Sequence, residues 1–266
     1  MESWFKQNQL TVNAKKTEYM LVCNSRIRHR FNDIKIQVNK QVISEKEHIK
    51  ILGVTISNDL SWEQHTLSLV GELRYRYKSF NRSCGLLTHD AKLLLYNACI
   101  ASRLNYCDFI WHKCNQASAS KLQTIQNRCA RRILGSPPES TALPLIRQLG
   151  WLTLTEKRNL HKCVLLHELL LGNKPNILVE GLTPWTSTHS RTTRGTSDEN
   201  LAVISHNTDY LAKSFYYDTA RIWNGIPARI RKIRNRNTFK ENLHKYLFDP
   251  NKVKTALPGH PSHHFS

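Results

Sequence analysis

Trp62-Glu-Gln-His-Thr-Leu-Ser-Leu-Val-Gly-Glu-Leu-Arg-Tyr-Arg-Tyr-Lys-Ser-Phe-Asn-Arg-Ser-Cys84 is the stretch on which the fold turns. Leu69, Val70, Leu73, Tyr77 and Phe80 recur at the spacing of one helical face. Arg74, Lys78 and Arg82 follow one another every fourth position and fall roughly 130° round the helix from that stripe, at 100° per residue. A long helix with one apolar and one basic side is expected.

The helical period persists downstream. A second helix should begin near Thr88 or His89, either able to cap it, and turn Leu93, Leu94, Tyr96, Cys99, Ile100 and Leu104 inward. A third, over 118–134, buries Leu122, Ile125, Cys129 and Ile133 and gathers Lys121, Arg128, Arg131 and Arg132 on a neighbouring face until Gly135-Ser-Pro-Pro138 stops it. Residues 142–149 fit a short helix, and 155–171 a longer one built on Leu160, Val164, Leu165 and Leu169 and ended by Gly172 and Pro175. Helices are also expected over 213–223 and 237–248, with a turn at Asn224-Gly-Ile-Pro227 between them and Thr238-x-x-Glu241 in the form of a capping box.

Upstream of Trp62 the period is that of strands. Glu18-Tyr-Met-Leu-Val-Cys23 is a run of strand formers, and Ile34-Lys-Ile-Gln-Val38 alternates strictly. Asn39-Lys40 offers a turn into Gln41-Val-Ile43, and Ile49-Lys-Ile-Leu-Gly-Val-Thr-Ile56 reads as one more strand. The expected class is α+β, a small antiparallel sheet followed by a mostly α-helical remainder. The expected divisions are 1–57, 58–135, 136–182, a loop or linker over 183–212, a helical part over 213–248 and a disordered tail over 249–266.

The 266 residues hold 39 Lys and Arg against 20 Asp and Glu, a net charge of +19. A small soluble domain typically carries about 2 to 8 in magnitude, so the excess points to a polyanionic partner. Besides the two basic helices, Arg229, Arg231, Lys232, Arg234 and Arg236 place five positive charges within eight residues, a run suited to phosphate contact or to a nuclear address. No apolar run approaches the roughly 18 residues of a membrane span, and the start, Met1-Glu-Ser-Trp, has no secretory h-region. An intracellular protein without a membrane partner is expected.

Other chemistries find little support. The seven Cys nowhere form C-x-x-C, which suits reduced thiols. His112-x-Cys114 and His161-x-Cys163-x3-His167 look like ligand pairs, but only Cys163 and His167 share a helical face cleanly, short of a closed zinc site. There is no nucleophile elbow, P-loop or dinucleotide fingerprint. Two-metal catalysis needs carboxylates that hold cations about 3.5 to 4 Å apart, and the aspartates here, such as Asp59, Asp108 and Asp218, are scattered singly.

A series of short motifs has a familiar order. Trp4-x3-Asn8-x-Leu10-x-Val12-Asn13-x2-Lys16-Thr17, then Leu52-Gly53-Val54 and Leu60-Ser61-Trp62-x2-His65, resembles the segment that follows the catalytic motif in reverse transcriptases of non-LTR (LINE-type) retrotransposons. The likeness continues through Tyr106-x4-Trp111, Leu122-Gln123-x-Ile125-Gln126-Asn127-Arg128-x2-Arg131-x-Ile133 and Gly172-x2-Pro175. It closes with Trp223-Asn224-x-Ile226-Pro227 and Phe239-Lys240-x2-Leu243-x2-Tyr246-Leu247.

The resemblance implies that 1–57 is the end of a palm, 58–135 a thumb that grips template and primer, and the rest the polymerase tail. It implies a truncated or domesticated fragment of an RNA-directed DNA polymerase that starts after the metal-binding aspartates and is inactive on its own. Mg²⁺ would then belong to the intact parent polymerase, with no cofactor bound by this chain alone. A Lys in the position of Lys16 lies near the incoming nucleotide in the family; read from its residues alone, Lys16 is equally an exposed charge before a strand. The expected contacts to RNA, DNA or a hybrid are Lys16, Arg74, Lys78, Arg82, Lys121, Arg128, Arg131, Arg132, Arg229, Arg231, Lys232, Arg234 and Arg236. The nucleus is the expected address. Two alternatives stand beside this reading: a protein-interaction module with a basic surface, and an enzyme segment that acts with the missing amino-terminal half or another protein.

Overall fold

The computed structural model describes residues 2–23, 26–31, 34–172, 176–182, 200–203, 205, 211 and 214–249. Most of the expected linker and all of the expected tail beyond Asp249 lie outside them. The fold is α+β, with small antiparallel pairing near the amino terminus and helices thereafter. The chain divides into two compact units, one of residues 1–75 with 114–121, the other of 76–113 with 122–266.

In the first unit, α1 (Glu2–Gln7) leads to a 3₁₀ turn at Ala14–Lys16, which Asn13 caps by accepting from Lys15 N at 3.1 Å. Two hairpins follow. In the first, β1 (Gln37–Val38) pairs with β2 (Gln41–Val42), and Asn39 and Lys40 both take positive φ, 50° and 64°, as a tight hairpin turn demands. In the second, β3 (His48–Ile51) pairs with β4 (Val54–Ser57) around Leu52 (φ 46°) and Gly53 (φ 83°).

The stretch 49–56 is therefore a hairpin and not one strand. Gly53 accepts the left-handed conformation freely, and Leu52 adopts it beside Gly53. The expected strand over 18–23 is reduced to a single parallel bridge, Tyr19 to Glu45, with Lys46 N donating to Tyr19 O at 2.8 Å. Side chains buried here are Ile43, Val54, Leu69, Val70 and Leu73.

Helix α2 (Glu63–Ser83) follows the expected apolar stripe, with Leu69, Val70, Leu73 and Phe80 all buried. Helix α3 (His89–Tyr96) starts at Thr88, whose hydroxyl accepts from Ala91 N, and continues through a π-helical turn at Asn97–Ala101 to Ser102–Leu104. Helix α4 (Gln116–Leu134) ends where Gly135 takes φ 67°.

The second unit is organised on α6 (Leu154–Leu170), which is preceded by α5 (Ala142–Gln148). Thr153 and Glu156 form a capping box at the start of α6: Thr153 Oγ1 accepts from Glu156 N at 3.4 Å and Thr153 N donates to Glu156 Oε2 at 2.8 Å. After the short α7 (Asn176–Val179), helices α8 (Phe215–Asn224), α9 (Ala228–Arg231) and α10 (Arg236–Phe248) complete the unit, with α8 and α10 packed on α6. Leu160, Cys163, Leu166, Leu169, Trp223, Phe239 and Leu243 form the centre of this core. The cap of α10 is Asn235, which accepts from Asn237 N and Thr238 N at 3.0 Å each. The expected box at Thr238 and Glu241 thus gives way to a cap three residues earlier.

Candidate nucleic-acid interface

The cations proposed from sequence fall into three groups. Arg74, Lys78 and Arg82 are exposed on α2, opposite its buried stripe. On α4, Lys121, Arg128 and Arg132 lie within about 40° of one another on the helical wheel, and all three are exposed. Arg131 is set further round and half-buried, its Nε donating to Ser140 O at 2.9 Å.

One contact in the second unit joins the ends of α2 and α4. The Arg132 guanidinium donates to Asn81 O through Nε at 3.3 Å and Nη2 at 3.2 Å. Burial pushes the Tyr77 phenol up, and the positive charges of Arg128 and Arg132 pull against that shift. Arg132 thus clasps the end of α4 to Asn81, the residue that precedes Arg82 on α2. Lys16, in the first unit, is exposed at the end of its 3₁₀ turn.

The run from Arg229 to Arg236 does not behave as one stripe. Arg229, Lys232, Arg234 and Arg236 are exposed, and Arg236 pairs with Glu168. Arg231 is buried, with Nε donating to Ile226 O at 3.0 Å and Nη1 to Asn200 Oδ1 at 2.5 Å. Residues two apart on a helix point about 200° apart, so Arg229 and Arg231 of α9 cannot share a face. Arg231 is held inside the fold, apart from the exposed cations of the run.

Several motif residues hold the second unit together. Gln123 Nε2 donates to Gln126 Oε1 and Asn127 Oδ1, each at 2.8 Å, while Gln123 Oε1 accepts from Leu154 N at 2.9 Å. Gln126 Nε2 donates to Leu152 O at 3.0 Å, so this part of α4 is clasped to the start of α6. Trp111 is fully buried, donates from Nε1 to Tyr106 O at 3.1 Å and lies under the Arg158 guanidinium at 4.4 Å. Asn224 takes both backbone groups of Leu201, at 2.8 and 2.9 Å. Trp111 and Trp223 are core residues, and Trp151 stacks on Tyr96 at 4.1 Å.

One polar cluster has no counterpart in the sequence reading. Lys162, on α6, has no exposed surface and pairs with Asp218 of α8. Lys113 Nζ reaches the other carboxylate oxygen at 2.6 Å, and His112 Nε2 lies 2.9 Å from Asp218 and 2.6 Å from Lys162 Nζ. Burial pushes the Lys162 ammonium down to about 8 against the pull of Asp218. Burial alone would raise the Asp218 carboxyl, but His112, Lys162 and Lys113 outweigh it and hold the group well below the usual carboxylate range. Burial also lowers His112, whose Nδ1 has no partner. Nearby on the same helix, His161 Nδ1 meets the buried Asp108 at 2.9 Å. The isolated Lys162 and Asp218 carry no periodic signal, and only the tertiary fold pairs them.

Among the described residues no group of three or more His, Cys, Asp and Glu is disposed to hold a metal ion. His161 and His167 of the ligand-like spacing are engaged with Asp108 and with Ile233 O. All seven cysteines are free thiols. No helix among the described residues is long and apolar enough to cross a membrane.

No protein-family model, curated protein or solved structure matches this chain.

Proposed function

We propose that this chain is the palm-end, thumb and tail portion of a LINE-type retrotransposon reverse transcriptase, and that it binds nucleic acid through its basic helices without polymerising by itself. The observation that carries the binding is the junction of α2 and α4 in the second unit. There Lys78, Arg82, Arg128 and Arg132 are exposed, and Arg132 bonds to Asn81. Cations spaced along helices fix a sugar-phosphate backbone and carry little sequence information. RNA, DNA and hybrid ligands all fit that chemistry.

The test is the salt dependence of binding to a fluorescent oligonucleotide. Substitution of Lys78, Arg82 and Arg128 by Gln is expected to reduce the slope of log K against log salt by about 2 to 3, since each phosphate left without its cation takes away about 0.7 to 0.9. Absence of binding at low salt in the wild-type chain would sink this function.

A second reading is favoured by the first unit. Val42 (61%), Leu52 (85%), Ile51 (51%) and Trp4 (56%) are large apolar side chains left in water. Apolar side chains of this size left exposed on a small unit favour a protein contact. On this reading the chain works in complex with a protein that covers the hairpins, such as the polymerase half carrying the paired aspartates.

A further inference from the structure

A cavity of about 400 Å³ opens in the second unit where α6, α8 and the segment after α9 meet. Its volume is in the range of small-molecule sites. Leu170, Leu171 and Ile233 supply the accessible apolar wall, and Leu201 and Trp223 are buried beside them. Arg231, Lys232 and Arg234 also line it, and among the described residues no carboxylate does. Arg231 is fixed by Ile226 O and Asn200 Oδ1, so this part of the wall is preorganised, while Lys232 and Arg234 are exposed at the rim.

We propose that this cavity receives a single unstacked nucleotide, its base against the apolar wall and its phosphate on Lys232 and Arg234. The inference rests on the nucleic-acid reading above and gives the basic run after α9 a task different from that of α2 and α4. The wall mixes apolar surface with polar side chains, Asn200, His167 and Arg231. An acyl chain would cover those groups without bonding to them, at a desolvation cost. A nucleobase presents an apolar face to Leu171 and Ile233 and a polar edge to the rest. The basic side chains Arg231, Lys232 and Arg234 favour an anion, and a phosphate supplies it. The nucleotide can be the unpaired end of a strand or a free monophosphate.

The experiment uses the full chain with a short oligouridylate carrying one 4-thiouridine, placed either at an end or in the middle, and maps photocrosslinks by peptide mass spectrometry. Saturation-transfer NMR with free uridine monophosphate forms the second arm. End-placed crosslinks are expected in the peptides around Leu171, Trp223 and Ile233, and middle-placed ones elsewhere. Lys232→Glu with Arg234→Glu should lower the end crosslink about tenfold, the equivalent of about 1.4 kcal/mol. Lys240→Glu, an exposed charge on α10 outside the cavity, should leave it unchanged. The cavity-filling Leu201→Trp should act like the double reversal, and the rim variants keep the test valid if Leu201→Trp fails to fold.

Crosslinks without transfer to the free nucleotide assign the site to a strand end, and transfer alone assigns it to the monophosphate. A strand that binds through α2 and α4 while neither arm reports the cavity overturns this inference and leaves the nucleic-acid function standing. A chain that binds no strand removes that function. The NMR arm then still decides, because transfer abolished by the rim variants supports the cavity and absence of transfer overturns it.

Discussion

The two units of the molecule are built on opposite principles. The first has two hairpins, with strands of two and four residues, and few buried apolar side chains. Hairpins of this size are marginal in water by themselves. The second has a central helix, α6, whose buried residues include Leu160, Cys163, Leu166 and Leu169 but also Arg158, Lys162 and His167. Helical packing there supplies enough apolar cover to take charged groups out of water and pair them. Buried apolar packing is therefore concentrated in the second unit, and the first leaves Trp4, Val42, Ile51 and Leu52 exposed.

The sharpest way to break this comparison lies in the buried charges. Lys162→Met should cost about 3–5 kcal/mol in urea unfolding, because it leaves Asp218 buried without its nearest cation. Adding Asp218→Asn should restore much of that loss. Equal and additive costs for the two changes would mean that they are not a coupled pair.

Next comes the same truncation made in each unit. Leu243→Ala, with no exposed surface, should cost about 2–5 kcal/mol. Ile51→Ala, 51% exposed, should stay within about ±0.5 kcal/mol. A large loss at Ile51 would show that the hairpins are held by contacts beyond those described.

The smallest effect is expected in the alkaline limb of the stability curve. The folded-state pKa of Lys162, about 8, lies below its ordinary 10.5, so between those values the unfolded chain binds more protons and this group makes stability rise with pH. Cys163 works in the other direction. Burial pushes its thiol from 9.0 up to about 12, so its contribution is complete below pH 9 and is lost as pH rises towards 12. Burial raises Cys129 and Tyr96 as well. Net stability should fall above pH 9, and Lys162→Met should make the fall steeper, as read from urea midpoints at successive pH values. An unchanged slope would place the Lys162 proton exchange elsewhere.

Much of the helical part was legible in the sequence because a 3.6-residue period declares itself over many turns. Helices α2 and α4 and the stop at Gly135 follow directly from it. The start of α6 was also readable, since Thr153-x-x-Glu156 is a capping signature as clear as the one at Thr238, but the period alone put the start slightly later. The hairpin at 48–57 was hidden because its turn, Leu52-Gly53, interrupts an apolar run without a polar residue. The basic faces of α2 and α4 could be drawn on a wheel. Arg231 could not, because a four-residue helix has no period to read. The pairing of Lys162 with Asp218 spans 56 positions and that of His112 with Asp218 spans 106, so no local pattern contains either.

The free thiols carry a last consequence. Cys84, Cys129 and Cys163 are sealed in helical packing and their burial-raised pKa values keep them protonated, whereas Cys23, Cys99, Cys107 and Cys114 are only partly covered. The thiolate is the form that reacts with an alkylating reagent. The chain thus contains two populations of sulfur, one labelled in the native molecule and one only when a helix lifts away, and their modification times would clock the breathing of the core without any introduced probe.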